Sequence, residues 1–335
     1  MAQPEKVSLL VIEDLHVDLP ARSGRLQAVR GLSLAAAAGR TLAIVGESGS
    51  GKSITALSIM GLLPKGAQRR ARRLTFDGID LLAQTDRSME DIRGNRIGMI
   101  FQDPTASFNP AYTIGEQLEE VHLRHCKKGR QDARKRAIDL LEQVGMPAPR
   151  ERLAQYPFEL SGGLRQRAMI AMALMCEPAL VIADEPTTAL DVTIQAQVLR
   201  VLRDLQRQMG LAVILITHDL GVVSAVADDV AVMYAGEIVE QSDVDALFAS
   251  PQHPYTRGLL SCIPRIGSGQ MGQRLPTIRG HVANLSRLPD GCVFAARCDM
   301  ADDRCRKHPV ELESVAPGHA VRCINAHLLE ANTHA

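Results

Sequence analysis

The most constraining feature of this 335-residue chain is the segment GESGSGKS at residues 46–53, which follows the apolar run TLAIV. It matches the pattern G-x-x-x-x-G-K-[ST], in which small residues let backbone N–H groups close around phosphate oxygens. The residues that follow have helical spacing, and a helix beginning there directs its positive dipole end at an anion. We therefore predict a nucleotide-binding phosphate loop (residues 46–53). The backbone N–H groups of the loop are expected to bind phosphate oxygens, and the residues concerned are Gly46, Ser48, Gly49, Ser50 and Gly51. Lys52 is expected to contact the β- and γ-phosphates, and the Ser53 hydroxyl to bind Mg²⁺.

Apolar strand patterns alternate with helical patterns along the first three quarters of the chain. Strands are predicted at 96–102, 179–186 and 211–219, most of residues 113–175 is predicted helical, and a hairpin is predicted to turn at Ala235-Gly236. Alternation of this kind favours a mostly parallel α/β sheet. From about residue 251, Pro, Gly, Arg and Cys increase and the periodicity weakens.

Charge and hydropathy narrow the class of protein. The 38 basic and 38 acidic residues cancel, so net charge gives no reason to expect a nucleic-acid partner. The N-terminal apolar run is too short for a secretory signal, and the most apolar region, 168–183, is interrupted by Glu177 and Pro178. We expect a cytosolic chain, in which disulfides are rare.

The basic run KGAQRRARR at 65–73 is interpreted as a solvated loop.

A pair of carboxylates ends one of the apolar strands. In LVIADE (180–185), Asp184 is expected to provide a second Mg²⁺ contact beside the phosphate loop. Glu185 points to the other face and is the candidate general base for an attacking water.

Four further motifs stand around this pair. They are LSGGLRQR at 160–167, TTALD at 187–191, Gln102 at the end of MIFQ, and His218 at the end of LAVILITH. In this order and spacing the set resembles the ATP-binding subunit of ABC transporters, over roughly residues 7–250. The resemblance implies an ABC-type phosphate-loop ATPase domain at 1–250. It has a RecA-like mixed sheet core and a helical signature subdomain at about 110–175, and a small Cys-rich extension follows at 251–335.

The resemblance also implies how the motif residues act. Two such domains meet head to tail, and Ser161, Gly162 and Gly163 contact the γ-phosphate that the partner chain binds. Gln102 is a further Mg²⁺ ligand and joins the metal and the water to the membrane-facing surface. Asp191 crosses the dimer interface, and His218 holds the γ-phosphate. Members of the family stack adenine on an aromatic residue before the loop, but this chain has none before Phe76; His16 or aliphatic surface would replace it.

Three stretches resemble the oligopeptide and dipeptide importer branch: FQDPTASFNP at 101–110, HPYTRGLL at 253–260 and the cysteine-containing tail. This branch implies import of di- and oligopeptides, with nickel-chelate, glutathione or antimicrobial-peptide uptake as alternatives. Its partners are two transmembrane permease subunits, a second homologous ATPase subunit in a heterodimer, and an external substrate-binding protein. The subunit itself is peripheral, at the cytoplasmic face of the inner membrane. A soluble ABC ATPase of DNA repair or translation is the rival class, but the single motif set with ordinary spacing weighs against it.

Four thiols are gathered in the tail: Cys292, Cys298, Cys305 and Cys323. Zinc sites usually contain a tight C-x₂₋₄-C pair, which is absent here, whereas an iron–sulfur cluster accepts wider spacing. The neighbouring Arg297, Arg304, Arg306 and Arg322 are expected to offset the charge of a cluster. The resemblance points to a 4Fe–4S centre; zinc and unligated thiols are the alternatives.

The remaining thiols carry weaker predictions. His122, His125 and Cys126 lie close in sequence, but a metal there needs another ligand, so they are interpreted as a surface helix face. Cys176 and Cys262 are expected to be structural or incidental.

Overall fold

A computed structural model describes residues 8–21, 24–187, 191–263 and 277–328. Residues 188–190 of the TTALD motif lie outside the described residues. The strands are β1 (Ser8–Ala21), β2 (Gly24–Ala37), β3 (Thr41–Val45), β4 (Gln68–Arg70), β5 (Arg73–Phe76), β6 (Ile79–Asp80), β7 (Ile97–Ile100), β8 (Leu180–Asp184), β9 (Ala212–Thr217), β10 (Asp229–Tyr234), β11 (Glu237–Asp243), β12 (Glu313–Ala316) and β13 (His319–Val321).

The larger sheet has the order β12-β13-β11-β10-β3-β9-β8-β7. The five strands from β10 to β7 pair in parallel, which confirms the α/β prediction. Every residue of β3, β7, β8 and β9 is buried, as expected for parallel strands that are covered on both faces. Because parallel strands end at one edge, the loops after them meet there.

Two antiparallel features complete the sheets. β10 and β11 form the predicted hairpin, whose turn residues Ala235 and Gly236 both have positive φ. The smaller sheet consists of β1, β2, β4, β5 and β6. Its inner side chains share an apolar core with β3, β9 and the first helix after the phosphate loop.

The basic run at 65–73 is not simply a solvated loop. Part of it forms β4, which pairs with β1, and Arg69 turns inward. Its guanidinium donates to the carbonyl oxygens of Ser58 and Leu81, and burial lowers the pKa of Arg69. The prediction was wrong for this residue because a long arginine stem can pack while its head bonds backbone oxygens.

The helices lie on both sides of the larger sheet and in a separate helical region. They are α1 (Lys52–Met60), α2 (Asp86–Glu90), α3 (Pro104–Ser107), α4 (Ile114–His125), α5 (Arg130–Gln143), α6 (Pro149–Arg152), α7 (Gly162–Ala173), α8 (Val192–Met209), α9 (Leu220–Val226), α10 (Val244–Ala249), α11 (Pro254–Ser261) and α12 (Asp303–Lys307). No helix in the described ranges is long and apolar enough to cross a membrane.

The helices α4 to α7 form the predicted helical region. α4 begins with a capping box, in which the Thr113 side chain accepts from the Glu116 N–H and the Glu116 carboxylate accepts from the Thr113 N–H. α5 ends before Gly145, whose φ of +72° lets the chain leave the helix. α4, α5 and α7 bury one apolar core that continues beneath β8 and α8, so this region is packed against the sheet.

The described part of the tail packs on the ATPase core. β12 and β13 extend the larger sheet beyond β11. Phe294 lies with its ring centroid 5.3 Å from those of both Tyr234 and Tyr255, so one aromatic cluster joins the tail, β10 and α11. The boundary at residue 250 stays a prediction, but the tail residues share their apolar core with β3 and β10.

Candidate nucleotide site and cysteine tail

The phosphate loop lies against backbone from two other parts of the chain. Gly46 has a φ of +151°, and a Cβ there would lie 2.1 Å from the carbonyl oxygen of Met233. Gly51 has a φ of +106°, and its Cβ would lie 2.5 Å from the Ala28 carbonyl oxygen. Both positions therefore require glycine on grounds of conformation and of space.

The loop leads into α1 as an anion site requires. α1 begins at Lys52 after Gly51, and no side chain caps it within the described chain, which leaves its first N–H groups available. The Lys52 ammonium donates to the carbonyl oxygens of Gly46 and Glu47 at 2.8 and 3.0 Å, and burial lowers its pKa. Ser48 and Gly49 are exposed at the loop tip, whereas Ser50 is buried.

The predicted magnesium ligands meet beneath the loop. The Ser53 hydroxyl donates to Asp184 Oδ1 at 2.9 Å. Burial raises the pKa of Asp184, because an enclosed carboxylate loses solvation. A hydroxyl and a carboxylate oxygen placed together are ligands that Mg²⁺ prefers, so these residues fit the ion.

Three residues form a cluster where β7, β8 and β9 end (the strand-end cluster: Gln102, Glu185 and His218). Gln102 Nε2 donates to Glu185 Oε2 at 3.0 Å, and His218 Nδ1 lies 3.3 Å from Glu185 Oε1. Glu185 has a φ of +47°, and its N–H donates to the Ile216 carbonyl oxygen, so the chain turns sharply after Asp184. The turn directs Glu185 to this cluster while Asp184 stays under the loop.

The signature residues begin another helix. Ser161 is the N-cap of α7 and accepts from the Leu164 N–H at 3.4 Å, and Gly162 and Gly163 form the first turn. Ser161 and Gly162 are exposed, and no hydrogen bond joins Ser161 to residues 46–53 within the described ranges. Asp191, also exposed, caps α8 by accepting from the Ile194 N–H at 2.9 Å. These residues do not join the nucleotide site of their own chain.

An ion pair between the phosphate loop and the tail was not foreseen. Arg297 donates two hydrogen bonds to the Glu47 carboxylate, at 2.6 and 3.1 Å, and its side chain is only 5% exposed. The Glu47 N–H also donates to the Tyr255 hydroxyl at 2.9 Å. Glu47 occupies a variable position of the loop pattern and its partner is 250 residues away, so sequence spacing gave no signal.

His16 pairs with a carboxylate on its own strand. Its Nε2 lies 2.9 Å from Asp14 Oδ1, and it lines a cavity with Arg70 and Arg322. The choice between His16 and aliphatic surface as the support for an adenine ring stays a prediction.

The four tail cysteines line one cavity, together with His253 and Phe294. Burial raises the pKa of Cys292 to about 11 and that of Cys323 to about 12. Among the described residues, no three of these sulfurs lie within 4.8 Å of one another. The group that these thiols would bind stays a prediction.

The arginines beside these cysteines form ion pairs and hydrogen bonds with other groups, and their part in offsetting the charge of a cluster stays a prediction. Arg297 pairs with Glu47, Arg304 with Asp302, and Arg306 with Asp303. Arg322 donates to the carbonyl oxygens of Ile238 and Val310. A side-chain contact to a sulfur comes from Asn325, whose Nδ2 lies 3.6 Å from Cys305 Sγ, and backbone N–H groups donate to Cys292, Cys298 and Cys323.

Comparison with known proteins gives two family matches. Residues 29–188 match the model described as ABC transporter, and residues 239–305 match the oligopeptide/dipeptide transporter C-terminal region. The dipeptide transport ATP-binding protein DppD of Bacillus subtilis is 50% identical over 319 residues, which cover 95% of this chain and 92% of the relative. The oligopeptide transport ATP-binding protein OppD of the same organism is 50% identical over 296 residues, covering 88% and 82%.

Solved structures agree on the fold. The dimeric, post-hydrolysis structure of the ATP-binding cassette MJ0796 bound to ADP and Pi is 25% identical, with a TM-score of 0.64 over 70% of this chain and 98% of that one. CbiO1 of Clostridium perfringens, part of an ABC transporter complex, is 26% identical, with a TM-score of 0.62 over 72% and 91%. With the phosphate loop, strand-end cluster and signature helix in place, the chain belongs to the ATP-binding proteins of the ABC transporter family, in the oligopeptide/dipeptide transporter branch.

Proposed function

We propose that the chain binds and hydrolyses ATP to power import of di- and oligopeptides through an ABC transporter. The observation that carries the enzymatic part is the strand-end cluster, which holds a carboxylate beside a phosphate loop and a magnesium-type ligand pair. The peptide cargo is supported by the names of the relatives and by the tail match at residues 239–305.

In this proposal the residues of one chain prepare the γ-phosphate for attack. Lys52 leaves the loop carbonyls for the β- and γ-phosphates, while Ser53 and Asp184, with Gln102, hold Mg²⁺, which supplies charge neutralisation on the phosphates. Glu185 accepts a proton from the attacking water as the bond from the γ-phosphorus to the ADP oxygen breaks. His218 contacts the γ-phosphate from the exposed edge of the site, where its side chain is 62% exposed.

The signature serves the second ATP site. Ser161, Gly162 and Gly163 offer an exposed helix N-terminus, which is chemically suited to a γ-phosphate on another chain. Asp191 extends across the same dimer interface. The partner we propose is a second, similar ATPase subunit that meets this chain head to tail in a heterodimer.

The assembly we propose also contains two permease subunits and an external substrate-binding protein. The ATPase is then peripheral, at the cytoplasmic face of the inner membrane, because ATP is available on that side. Related importers of nickel chelates, glutathione or antimicrobial peptides use the same machinery and are the second candidates. Purification of the intact complex, with mass spectrometry of the molecule on its binding protein, tests the cargo; co-purification with ribosomes or DNA and without permeases would contradict the transport role.

Catalysis provides the first prediction. Glu185→Gln keeps the shape of the side chain but removes the base, so ATP binding should persist while turnover falls by about 10²–10⁴. The variant should also accumulate a closed, ATP-bound dimer, measurable by size-exclusion chromatography with ATP. Glu177→Gln, at a position whose side chain is 68% exposed, is the matched control. Near-normal hydrolysis by Glu185→Gln would remove this residue from the role.

The head-to-tail arrangement provides the second prediction. Ser161→Arg should block the nucleotide site that contains the partner subunit's lysine, because a bulky side chain would fill the space of the γ-phosphate. Photo-labelling of the partner subunit with an ATP analogue should then decrease, while labelling of this chain at the Lys52 site should persist. Ser224→Arg on exposed α9 is the control. Loss of labelling on this chain alone would contradict the arrangement.

The tail is proposed to hold a 4Fe–4S cluster through Cys292, Cys298, Cys305 and Cys323, in a structural role. Support comes from the cavity that the four cysteines share. An anaerobic preparation should be brown and contain about four irons per chain. Cys298→Ser should remove the colour and increase proteolysis of the tail with the ATPase motifs intact, whereas Cys262→Ser should keep the colour. A colourless preparation with one zinc and no sulfide would contradict the cluster.

A further inference from the structure

A second group of metal-type ligands lies in the helical region. His122 is in the last turn of α4, and Cys126 is the C-cap residue of the same helix. Cys176 follows α7 and precedes β8, and it supplies the ligand that the sequence lacked. The ligand atoms of His122, Cys126 and Cys176 all lie within 4.8 Å of one another.

The burial of His122 contradicts the interpretation as a surface helix face. His122 is only 6% exposed, and both its Nδ1 and Nε2 are buried without a hydrogen-bond partner in the described part of the chain. A buried polar group without a partner destabilises the fold, so its presence calls for a ligand. The flanking Arg124, Lys127 and Lys128 had made the segment resemble solvated surface.

The distance between the sulfurs fits a tetrahedral metal. Two thiolates at about 2.3 Å from Zn²⁺ stand about 3.8 Å apart at the tetrahedral angle. Cys126 Sγ and Cys176 Sγ lie 3.9 Å apart. A disulfide requires about 2.05 Å, so the two sulfurs are not bonded to each other.

The surroundings suit a bound cation with thiolate ligands. Both cysteines are half-buried and line a cavity with three basic residues, Lys128, Lys135 and Arg136, and three acidic ones, Asp132, Asp139 and Glu177. No carboxylate of the described residues joins the three clustered ligand atoms, so a water would complete four-coordination. Thiolate and imidazole together select zinc-class metals rather than Mg²⁺ or Ca²⁺.

We propose that His122, Cys126 and Cys176 bind one Zn²⁺ ion that fastens the end of α4 to the connection between α7 and β8. The site joins the helical region to the strand that ends at Asp184. It is separate from the tail cysteines and does not depend on whether the chain imports peptides.

The residue-specific test uses the full chain and inorganic zinc. Each cysteine is alkylated with iodoacetamide after chelation, with and without added zinc, and the peptides are quantified by mass spectrometry. Zinc should slow alkylation of Cys126 and Cys176 by about tenfold or more, because a metal-bound thiolate is a poor nucleophile. Cys262, outside both groups, should react equally in the two conditions. Equal alkylation of Cys126 with and without zinc would overturn the proposal.

A second measurement identifies the ligands. Co²⁺ added to the full chain should produce a thiolate-to-cobalt charge-transfer band. Cys176→Ser and His122→Gln should each weaken metal binding by about 100-fold or more, because loss of even an outer-shell partner costs 10–100-fold. Cys262→Ser should leave the band unchanged. A band that survives in Cys176→Ser and disappears in Cys298→Ser would assign the cobalt to the tail and overturn the proposal.

Discussion

The position of the phosphate loop is the constraint on which the rest of this structure depends. The loop can occupy its place only because Gly46 and Gly51 have no side chains against the backbone of Met233 and Ala28. The ion pair of Glu47 with the buried Arg297 holds its outer side. A hydrogen bond to a charged group contributes about 1.5–3 kcal/mol, so this pair is strong enough to bias the conformation of a loop. The hairpin, the smaller sheet and the tail therefore all contact the phosphate loop and help to fix its position.

The chemistry at the site follows from sheet topology. β8 lies between β7 and β9, so the residues that follow these strands meet at one edge. The sharp turn at Glu185 sends two successive carboxylates in different directions, one towards Ser53 and one towards Gln102 and His218. Metal binding and proton transfer can thus be divided between neighbouring residues. The signature helix begins elsewhere, and its exposed N-terminus explains why a second ATPase subunit is part of the proposal.

The sequence predicted those features of the fold that depend on local residue patterns. Loop spacing, apolar strands and helix stops such as Gly145 depend on neighbours in the chain, and the structure has the corresponding elements. Contacts between distant segments were missed: Glu47 with Arg297, the inward turn of Arg69, and the approach of Cys176 to His122. In each case another element creates surroundings that the sequence around the residue did not predict. The roles of the motif residues were inferred from a family resemblance, because residue pattern and spacing alone do not assign a role to each residue.

The tail and the phosphate loop form one structural unit, and nucleotide affinity tests this coupling. Arg297→Ala in the full chain removes both hydrogen bonds to Glu47, while Arg306→Ala removes a largely exposed arginine whose carboxylate partner is also exposed. If the pair orders the loop, losing about 1.5–3 kcal/mol should weaken ATP binding about 10- to 100-fold, measured by isothermal titration calorimetry. Arg306→Ala should bind as the unmodified chain does. An unchanged dissociation constant in a folded Arg297→Ala protein would contradict the claim.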